Sequence, residues 1–146
     1  MSAESPDSLK FDNQVCFPLY SAANAMVRAY RPLLDALDLT YLQYMVLMLL
    51  WEEQQMNVKA LGERLGLDSG TLTPLLKRLD AKGLVTRARD PGDERVRLIS
   101  ITQAGQALRR KARDIPGELA CRVGMKKSDA RQLRKLCEQV LAALND

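Results

Sequence analysis

The hydrophobic pattern is clearest in the middle of the chain, where it predicts a helix over residues 69–82. Four leucines recur there at the spacing i, i+3, i+4, i+7 and form one apolar stripe. They are Leu72, Leu75, Leu76 and Leu79. Asp68 and Ser69 are favourable N-caps, and Gly83 is a favourable C-terminal stop. Pro74 is the one misfit, because a proline inside a helix removes a backbone donor, and we expect a local irregularity there.

A shorter apolar pattern before Gly66 predicts a second helix, so the two helices and their turn form a helix-turn-helix. The side of the 69–82 helix opposite the leucines is small, hydroxylated and basic, as expected of a helix that reads the edges of bases. We expect its DNA contacts to come from Ser69, Thr71, Thr73, Lys77 and Arg78.

Two strand-like runs, 84–89 and 95–101, follow this helix, and residues 90–94 between them have strong turn chemistry. A hairpin directly after a helix-turn-helix makes a winged helix, and we expect residues 57–101 to be the DNA-binding unit. The arginines of the wing can reach phosphates or a narrow minor groove. They are Arg87, Arg89, Arg95 and Arg97. The alternative interpretation is a helical hairpin beside a solvated basic ribbon that binds nothing.

The segment before the winged helix also has a helical pattern. Residues 41–53 are apolar on nearly all sides, and a helix of that kind is buried. Thr40 is its expected N-cap, and we expect this helix to form the core beneath the winged helix. A first helix is expected from Asp12 onwards, with an interruption at Arg31-Pro32.

Two further helices are expected after the hairpin. Thr102 is the N-cap of the first, which Pro116 and Gly117 break near Asp114. The last helix carries a nearly heptad apolar stripe. Because the terminal helices keep apolar faces, we expect residues 1–37 and 102–146 to form the dimerisation layer of a twofold homodimer. The expected fold is mainly α with a small β wing, a single winged helix-turn-helix domain over residues 1–146.

The composition indicates a nucleic-acid partner and argues against several kinds of catalysis. Residues 77–113 hold 11 Lys and Arg against 4 Asp and Glu, whereas the whole chain has a net charge of only +4. A basic block of this kind suits a nucleic-acid face. The chain has no histidine, so we expect no His-based acid–base catalysis, no metal site and no cofactor. No apolar run reaches the roughly 18 residues that span a bilayer, and residues 1–8 are polar, so we expect a cytoplasmic protein without membrane contact.

The cysteines are far apart in the sequence, and in a cytosolic chain we expect no structural disulfide among them. Cys16 falls in the first turn or two of the first helix, where the positive end of the helix dipole stabilises a thiolate. Tyr30 and Tyr41 flank the segment that leads into the core helix, and a phenol can donate to a thiolate. Cys16 is therefore either a reactive thiol or a small buried hydrophobe. Spacing leaves the role of Cys121 open, while Cys137 lies in the apolar stripe of the last helix and is expected in the core.

These residues together resemble the MarR family of bacterial repressors over nearly the whole chain, and more closely its organic-hydroperoxide-sensing OhrR branch. The most specific similarities are the stretch around Cys16, the segment 67–78, the wing motif Asp93-Glu94-Arg95 and the stretch Asp114-Ile115-Pro116-Gly117. Asp93 and Arg95 thereby join the residues expected at the DNA interface.

The resemblance implies a homodimeric repressor that binds an inverted-repeat operator in double-stranded DNA while it is reduced. An organic hydroperoxide would oxidise Cys16 to a sulfenic acid, and Tyr30 and Tyr41 match the phenols that hydrogen-bond the thiol. In the two-cysteine subgroup the sulfenic acid condenses with a thiol of the other subunit. Cys121 matches this resolving position, whereas Cys137 matches no functional position of the family.

Two other functions compete with this one. The first is a MarR-type repressor released by a reversibly bound phenolic ligand, with Cys16 as a core residue. The second is an enzyme, a thiol peroxidase that turns over hydroperoxide. The basic wing has no use in such an enzyme, and the chain offers no histidine or evident acid for the leaving alcohol. We therefore expect a protein that is not an enzyme.

Overall fold

Helices dominate the computed structural model, which describes residues 6–145 and divides into two units between Ala112 and Arg113. The first unit contains α1 (Cys16–Asp35), α2 (Tyr41–Glu53), β1 (Gln55–Asn57), α3 (Val58–Leu65), α4 (Ser69–Ala81), β2 (Val85–Asp90), β3 (Asp93–Ile101) and α5 (Gln103–Ala112). The second unit contains α6 (Ile115–Val123) and α7 (Lys127–Leu144). Residues 1–5 and 146 of the predicted dimerisation segments lie outside the described part. No helix within residues 6–145 is long and apolar enough to cross a membrane.

The predicted fold class is confirmed, since α3, α4 and the β2–β3 hairpin form a winged helix-turn-helix within a mainly helical chain. The sheet is antiparallel, with the strand order β1-β3-β2. Strand β1 was not predicted. It pairs with β3 through Met56 opposite Ile99. Three residues show no clear alternation, and the partner strand follows only after α3 and α4, so no local pattern marks β1 as a strand.

Helix α2 forms the core, as predicted. Val46, Leu47 and Leu50 are completely buried. The helix begins with a capping box, in which Thr40 Oγ1 accepts from the Gln43 N–H at 3.3 Å and Gln43 Oε1 accepts from the Thr40 N–H at 3.1 Å. The expectation that α2 is buried on nearly all sides is only partly met. Two of its apolar side chains remain more than one-third exposed, and they are Leu42 and Met48.

Helix α4 has the predicted leucine stripe, and all four leucines are buried. Asp68 Oδ1 accepts from the Thr71 N–H at 2.8 Å and caps its start. Gly83 takes the left-handed conformation, with φ +76°, directly after the C-cap residue Lys82. Pro74 lies inside α4 and does not break it, because the helix is continuous from Ser69 to Ala81. A proline costs one backbone bond here, and the buried leucines on both sides of it hold the helix together.

Helix α1 differs from its prediction at both ends. It runs through Pro32 to Asp35 without the predicted interruption. Pro32 lies in the last turn of α1. A kink there would change the direction of only the few helical residues that follow it. The predicted start at Asp12 is also wrong. Asp12 belongs to a short 3-10 helix, Phe11–Asn13, and α1 begins at Cys16.

The α5 cap and the break after α5 are confirmed. Thr102 Oγ1 accepts from the Gly105 N–H at 3.0 Å and donates to the Gly83 carbonyl at 2.6 Å. The chain then turns between α5 and α6, at the predicted position near Asp114. Pro116 lies in the first turn of α6, where a proline is tolerated.

The close approach of α5 to the start of β2 depends on Gly105. A Cβ at this position would lie 2.2 Å from the Leu84 carbonyl oxygen and 2.9 Å from Cγ1 of Ile101. The carbonyl of Gly105 also accepts from Trp51 Nε1 at 2.9 Å, which ties α2 to α5. We predict that Gly105→Ala lowers the free energy of unfolding by about 1–3 kcal/mol, because α5 must move away.

Urea denaturation of the reduced protein measures this effect. Gly117→Ala is the matched control, since Gly117 lies within α6 and a Cβ there would meet nothing within 4 Å. This control should leave the stability unchanged or raise it, because alanine is the better helix former. Equal unfolding free energies for wild type and Gly105→Ala would contradict the close approach.

Candidate functional site

The predicted DNA-contacting residues all lie on α4 or the hairpin. All are exposed except Asp93, which is half-buried. They are Ser69, Thr71, Thr73, Lys77, Arg78, Arg87, Asp93 and Arg95. Their arrangement follows from the leucine stripe, because burial of one side of α4 turns the opposite side outward.

A groove of about 450 Å³ separates α4 from the hairpin. Thr73 and Lys77 of α4 line one side, and Arg87 and Arg97 of the strands line the other. Ile99 also lines it, and this side chain is completely buried. The groove therefore brings together three cations and a hydroxyl group, which are the groups that bind phosphate oxygens.

The other edge of α4 faces a different cavity, of about 680 Å³, between α1, α2 and α4. Thr71 and Arg78 line it together with Arg31 and Tyr41. Most of its remaining lining is apolar and includes Val27, Leu34, Leu39, Leu42 and Leu75. Thr71 and Arg78 thus lie at the edge of α4, between the outward surface and this cavity.

An ion pair fixes the base of the hairpin to α4. Arg87 Nε donates to Asp80 Oδ2 at 2.8 Å, and both side chains are 37% exposed. Such half-exposed pairs contribute little to stability, but this one restricts the direction of Arg87. No sequence pattern pointed to Asp80, because its partner lies on a different element.

At the tip of the wing Asp93 holds Arg95. Oδ1 of Asp93 accepts from Arg95 Nε at 3.1 Å, and Oδ2 accepts from the second guanidinium nitrogen at 3.2 Å. The side chain of Arg95 is nevertheless 90% exposed. These side-chain bonds, together with one from the Arg95 backbone N–H, hold the pKa of Asp93 below its usual range. Arg95 is therefore pre-oriented and free on its outer side.

Two arginines stand directly opposite each other in the hairpin. Arg89 of β2 pairs in register with Arg97 of β3, and both are exposed. Like charges in this position repel and destabilise the strand pair. Among residues 6–145 no carboxylate forms an ion pair with either one. The pair is suited to share an anion.

Cys16 is the first residue of α1, and its thiol is exposed, so the core interpretation of this cysteine does not hold within the chain. Its surroundings are apolar, with Val15 85% and Phe17 44% exposed. The rings of Phe11 and Phe17 lie 4.6 Å apart between centroids. The residue before the helix supplies no side-chain cap, so the positive end of the helix dipole remains open to a thiolate.

Tyr30 and Tyr41 lie together, with ring centroids 5.2 Å apart, and Tyr44 lies 5.8 Å from Tyr30. Burial raises the pKa of Tyr30, and Tyr41 and Tyr44 raise it further. The phenol therefore stays protonated and can donate. Cys16 and Tyr30 belong to one helix, in which fourteen residues rise by about 21 Å. Within a single chain the structure therefore does not bring Tyr30 and Cys16 together.

The other two cysteines lie in the second unit. Cys121 is exposed in α6, and Cys137 is half-buried in α7. The expectation that Cys137 is a core residue is not met within the chain, because α7 contains no buried residue. The apolar stripe of α7 is largely exposed. Its members are Leu133, Leu136, Val140, Leu141 and Leu144, which are 43–78% exposed.

Comparisons with known proteins place these features in context. The MarR family profile matches residues 39–96. The organic hydroperoxide resistance transcriptional regulator of Bacillus subtilis (strain 168) is 49% identical over 130 residues, which cover 89% of this chain and 86% of that protein. Reduced AbfR bound to DNA has a similar structure, with a TM-score of 0.81 and 31% identity over 96% of this chain and 98% of AbfR. For disulfide-formed AbfR the TM-score is 0.67, with 30% identity over 92% and 95%.

The Asp93–Arg95 contact makes a prediction about titration. Arg95→Ala should raise the pKa of Asp93 toward its ordinary value of 3.8, because the largest cause of the lowering is lost. Since the folded-state pKa of Asp93 is depressed, the contribution of the contact is complete above the ordinary value and is lost as the pH falls from there through the lower folded-state pKa. Carboxyl carbon shifts in a pH titration measure the change. Asp68 is the control, since its pKa is lowered by the Thr71 N–H. An Asp93 titration that Arg95→Ala leaves unchanged would contradict the contact.

Proposed function

Because the chain belongs to the MarR family and is a transcriptional regulator of that type rather than an enzyme, we propose that it is a repressor that leaves its operator when an organic hydroperoxide oxidises Cys16. The observation that carries the proposal is the exposed thiol of Cys16 at the first residue of α1. The similar Bacillus subtilis regulator is named for organic hydroperoxide resistance. AbfR has been solved both reduced on DNA and with a disulfide, which supports two such states here.

In the reduced state α4 enters the major groove. Its outward hydroxyl and basic side chains contact base edges and nearby phosphates. They are Ser69, Thr71, Thr73, Lys77 and Arg78. Arg95 enters the minor groove, with Asp93 holding its guanidinium, and Arg87 contacts a phosphate from the groove beside α4. A twofold dimer would place two such units on half-sites about 34 Å apart, one turn of the double helix.

The apolar surface at both chain ends supports the homodimer. In α1 several apolar side chains are exposed, and they are Phe17, Leu19, Tyr20, Met26 and Val27. The stripe of α7 is exposed to a similar extent. Exposed apolar surface of this kind marks an interaction site. We assign residues 1–37 and 102–146 to the dimerisation layer of a single domain, with a second copy of the chain as the occupant.

The oxidation proceeds in two steps. The Cys16 thiolate attacks the terminal oxygen of the hydroperoxide, the O–O bond breaks, and the alkoxide takes up a proton and leaves as the alcohol. The resulting sulfenic acid reacts with the thiol of Cys121 from the second subunit, which forms a disulfide and releases water. A disulfide requires Cα atoms roughly 4.4–6.8 Å apart, so it constrains α1 and α6 in a way that a sulfenic acid does not.

The phenols assist this chemistry across the dimer. Since Tyr30 lies about 21 Å along α1 from Cys16, the phenols that donate to a given thiolate would be those of the other subunit. Burial keeps the Tyr30 phenol protonated by raising its pKa, and Tyr41 lies against it. The apolar residues around Cys16 favour an organic hydroperoxide over hydrogen peroxide.

One observation favours a second candidate function. The cavity between α1, α2 and α4 is mostly apolar, with Arg31 and Arg78 among its lining, and its size suits a small ligand. A phenolic ligand bound there would touch α4 directly and could release DNA without oxidation. Such a regulator would respond equally with serine at position 16.

The DNA contact is tested at the wing. We predict that Arg95→Ala weakens binding to an operator, selected from random duplexes with the reduced protein, by about 1–3 kcal/mol. The reason is the loss of a pre-oriented guanidinium in the minor groove. Fluorescence anisotropy over a salt series measures this. Arg134→Ala is the matched control, because Arg134 is also an exposed arginine paired with a nearby carboxylate, that of Glu138. Unchanged affinity in Arg95→Ala at every salt concentration would remove the wing from the interface.

The redox switch is tested with cumene hydroperoxide. Wild type should release the operator and run as a covalently linked dimer on a non-reducing gel, and dithiothreitol should reverse both changes. Cys16→Ser should bind the operator with wild-type affinity and ignore the hydroperoxide. Cys121→Ser should lose the dimer band, whereas Cys137→Ser, the control, should keep it.

Two results would overturn this scheme. Release of DNA from oxidised Cys16→Ser would place the sensor elsewhere and favour the ligand-gated function. A peroxide-treated wild type that runs only as a monomer, with Cys16 and Cys121 unlinked in peptide mapping, would exclude the disulfide.

A further inference from the structure

A lysine at the end of α4 reaches back to the turn between α1 and α2. Lys82 is the C-cap of α4. Its ammonium group donates to the main-chain oxygen of Asp38 and, at 3.2 Å, to Oε1 of Gln43. It also lies 3.5 Å from Oδ2 of Asp38. Direct hydrogen bonds therefore connect the C-terminal end of α4 to the α1–α2 turn and to the first turn of α2.

Both ends of this connection are held in place. Gln43 is 2% exposed, and its Oε1 also accepts from the Thr40 N–H in the capping box of α2. One buried oxygen thus serves both the start of α2 and Lys82. At the other end Gly83, with φ +76°, fixes the direction in which the chain leaves α4. A shift of the α2 N-terminus therefore changes the position of the atoms that Lys82 binds.

The two bonds from the ammonium group matter more than the ion pair. The side chain of Asp38 is 94% exposed, and exposed pairs contribute little. The main-chain oxygen of Asp38 and the amide oxygen of Gln43 accept charge-assisted hydrogen bonds, which are stronger and directional. Helix α4 also packs against α2, but contacts between apolar side chains have no preferred direction. Lys82 supplies the directional part of the connection.

The turn that Lys82 binds lies beside the phenols. Tyr41 is the first residue of α2, directly after Thr40, and its ring lies against Tyr30. We propose that Lys82 is a positioning residue that couples the position of α4 to the α1–α2 turn, so that oxidation at the dimer layer changes the affinity for DNA through this lysine. The inference rests on the proposed function and adds the route between the two sites. Two sites are coupled when a common element responds to both.

The measured quantity is the ratio of the operator dissociation constants of the oxidised and reduced proteins. In Lys82→Met, which keeps an unbranched side chain one atom shorter and removes the ammonium donors, this ratio should fall about fivefold or more relative to wild type. A lysine with a merely structural role would weaken both redox states equally and leave the ratio unchanged. The Cys16–Cys121 band on the non-reducing gel should persist, since Lys82 takes no part in the thiol chemistry.

Two variants serve as controls. Asp38→Asn removes the carboxylate but keeps the main-chain oxygen, and asparagine tolerates the positive φ of 54° at this position. It should retain the wild-type ratio. Lys82→Arg restores a cationic donor and should recover most of the ratio that Lys82→Met loses. A ratio in Asp38→Asn as low as that in Lys82→Met would assign the effect to the charge and overturn the route proposed here.

Amide hydrogen exchange of the wild type tests the same route without a substitution. Oxidation should speed exchange at the Gln43 N–H, at the start of α2, and at the Gly83 N–H, at the end of α4, together. A response confined to Gln43 would overturn the proposal. A wild-type ratio of one would overturn the redox function itself. A larger wild-type ratio that Lys82→Met leaves unchanged would overturn only the role of Lys82.

Discussion

The burial of α2 is the constraint on which the rest of the structure depends. Val46, Leu47 and Leu50 are completely buried, and α2 packs against α1, α3, α4, α5 and β3. Close-packed interiors transmit displacements instead of absorbing them. The two ends of α2 are also the points where specific contacts begin, with Gln43 near the start and Trp51 near the end. Helix α4 and the tyrosine cluster therefore share one rigid support.

The exposed apolar surface of the terminal helices gains a second role once the positions of the thiol and the phenols in α1 are compared. Cys16 lies at the far end of α1 from the tyrosines, so one chain supplies a thiol in one place and phenols in another. Under the proposed function only a second copy completes the site. The apolar stripes of α1 and α7 would then serve both dimerisation and oxidation, because the way they pack determines which phenols lie beside which thiol.

Periodic features were predictable from the sequence, and features that depend on distant partners were not. The leucine spacing of α4 and the turn chemistry of residues 90–94 are local signals, so they gave the correct helix and hairpin. The turn is shorter than predicted, because the strands extend to Asp90 and from Asp93 and leave only Pro91 and Gly92 between them. Strand β1 depends on β3 for its existence, and no local pattern reveals it. The interruption expected at Pro32 was wrong, because the proline lies in the last turn of α1, and Pro74 does not break α4. In the candidate site, too, local patterns were predictable and contacts between elements were not. The outward residues of α4 were foreseen, whereas Asp80 and Lys82 gain their roles from partners on other elements.

The opposed arginines of the hairpin have a consequence for the free protein. Arg89 and Arg97 repel each other across the strands, and an anion between them would relieve that repulsion. Added salt screens the same repulsion, so it should steady the hairpin of the unbound protein while it weakens attraction to DNA. The wing is then least ordered at low ionic strength in the absence of DNA, where electrostatic attraction is strongest. A polyanion with an oxygen that fits between the two guanidinium groups would relieve the repulsion, whereas one that cannot fit there would leave it in place.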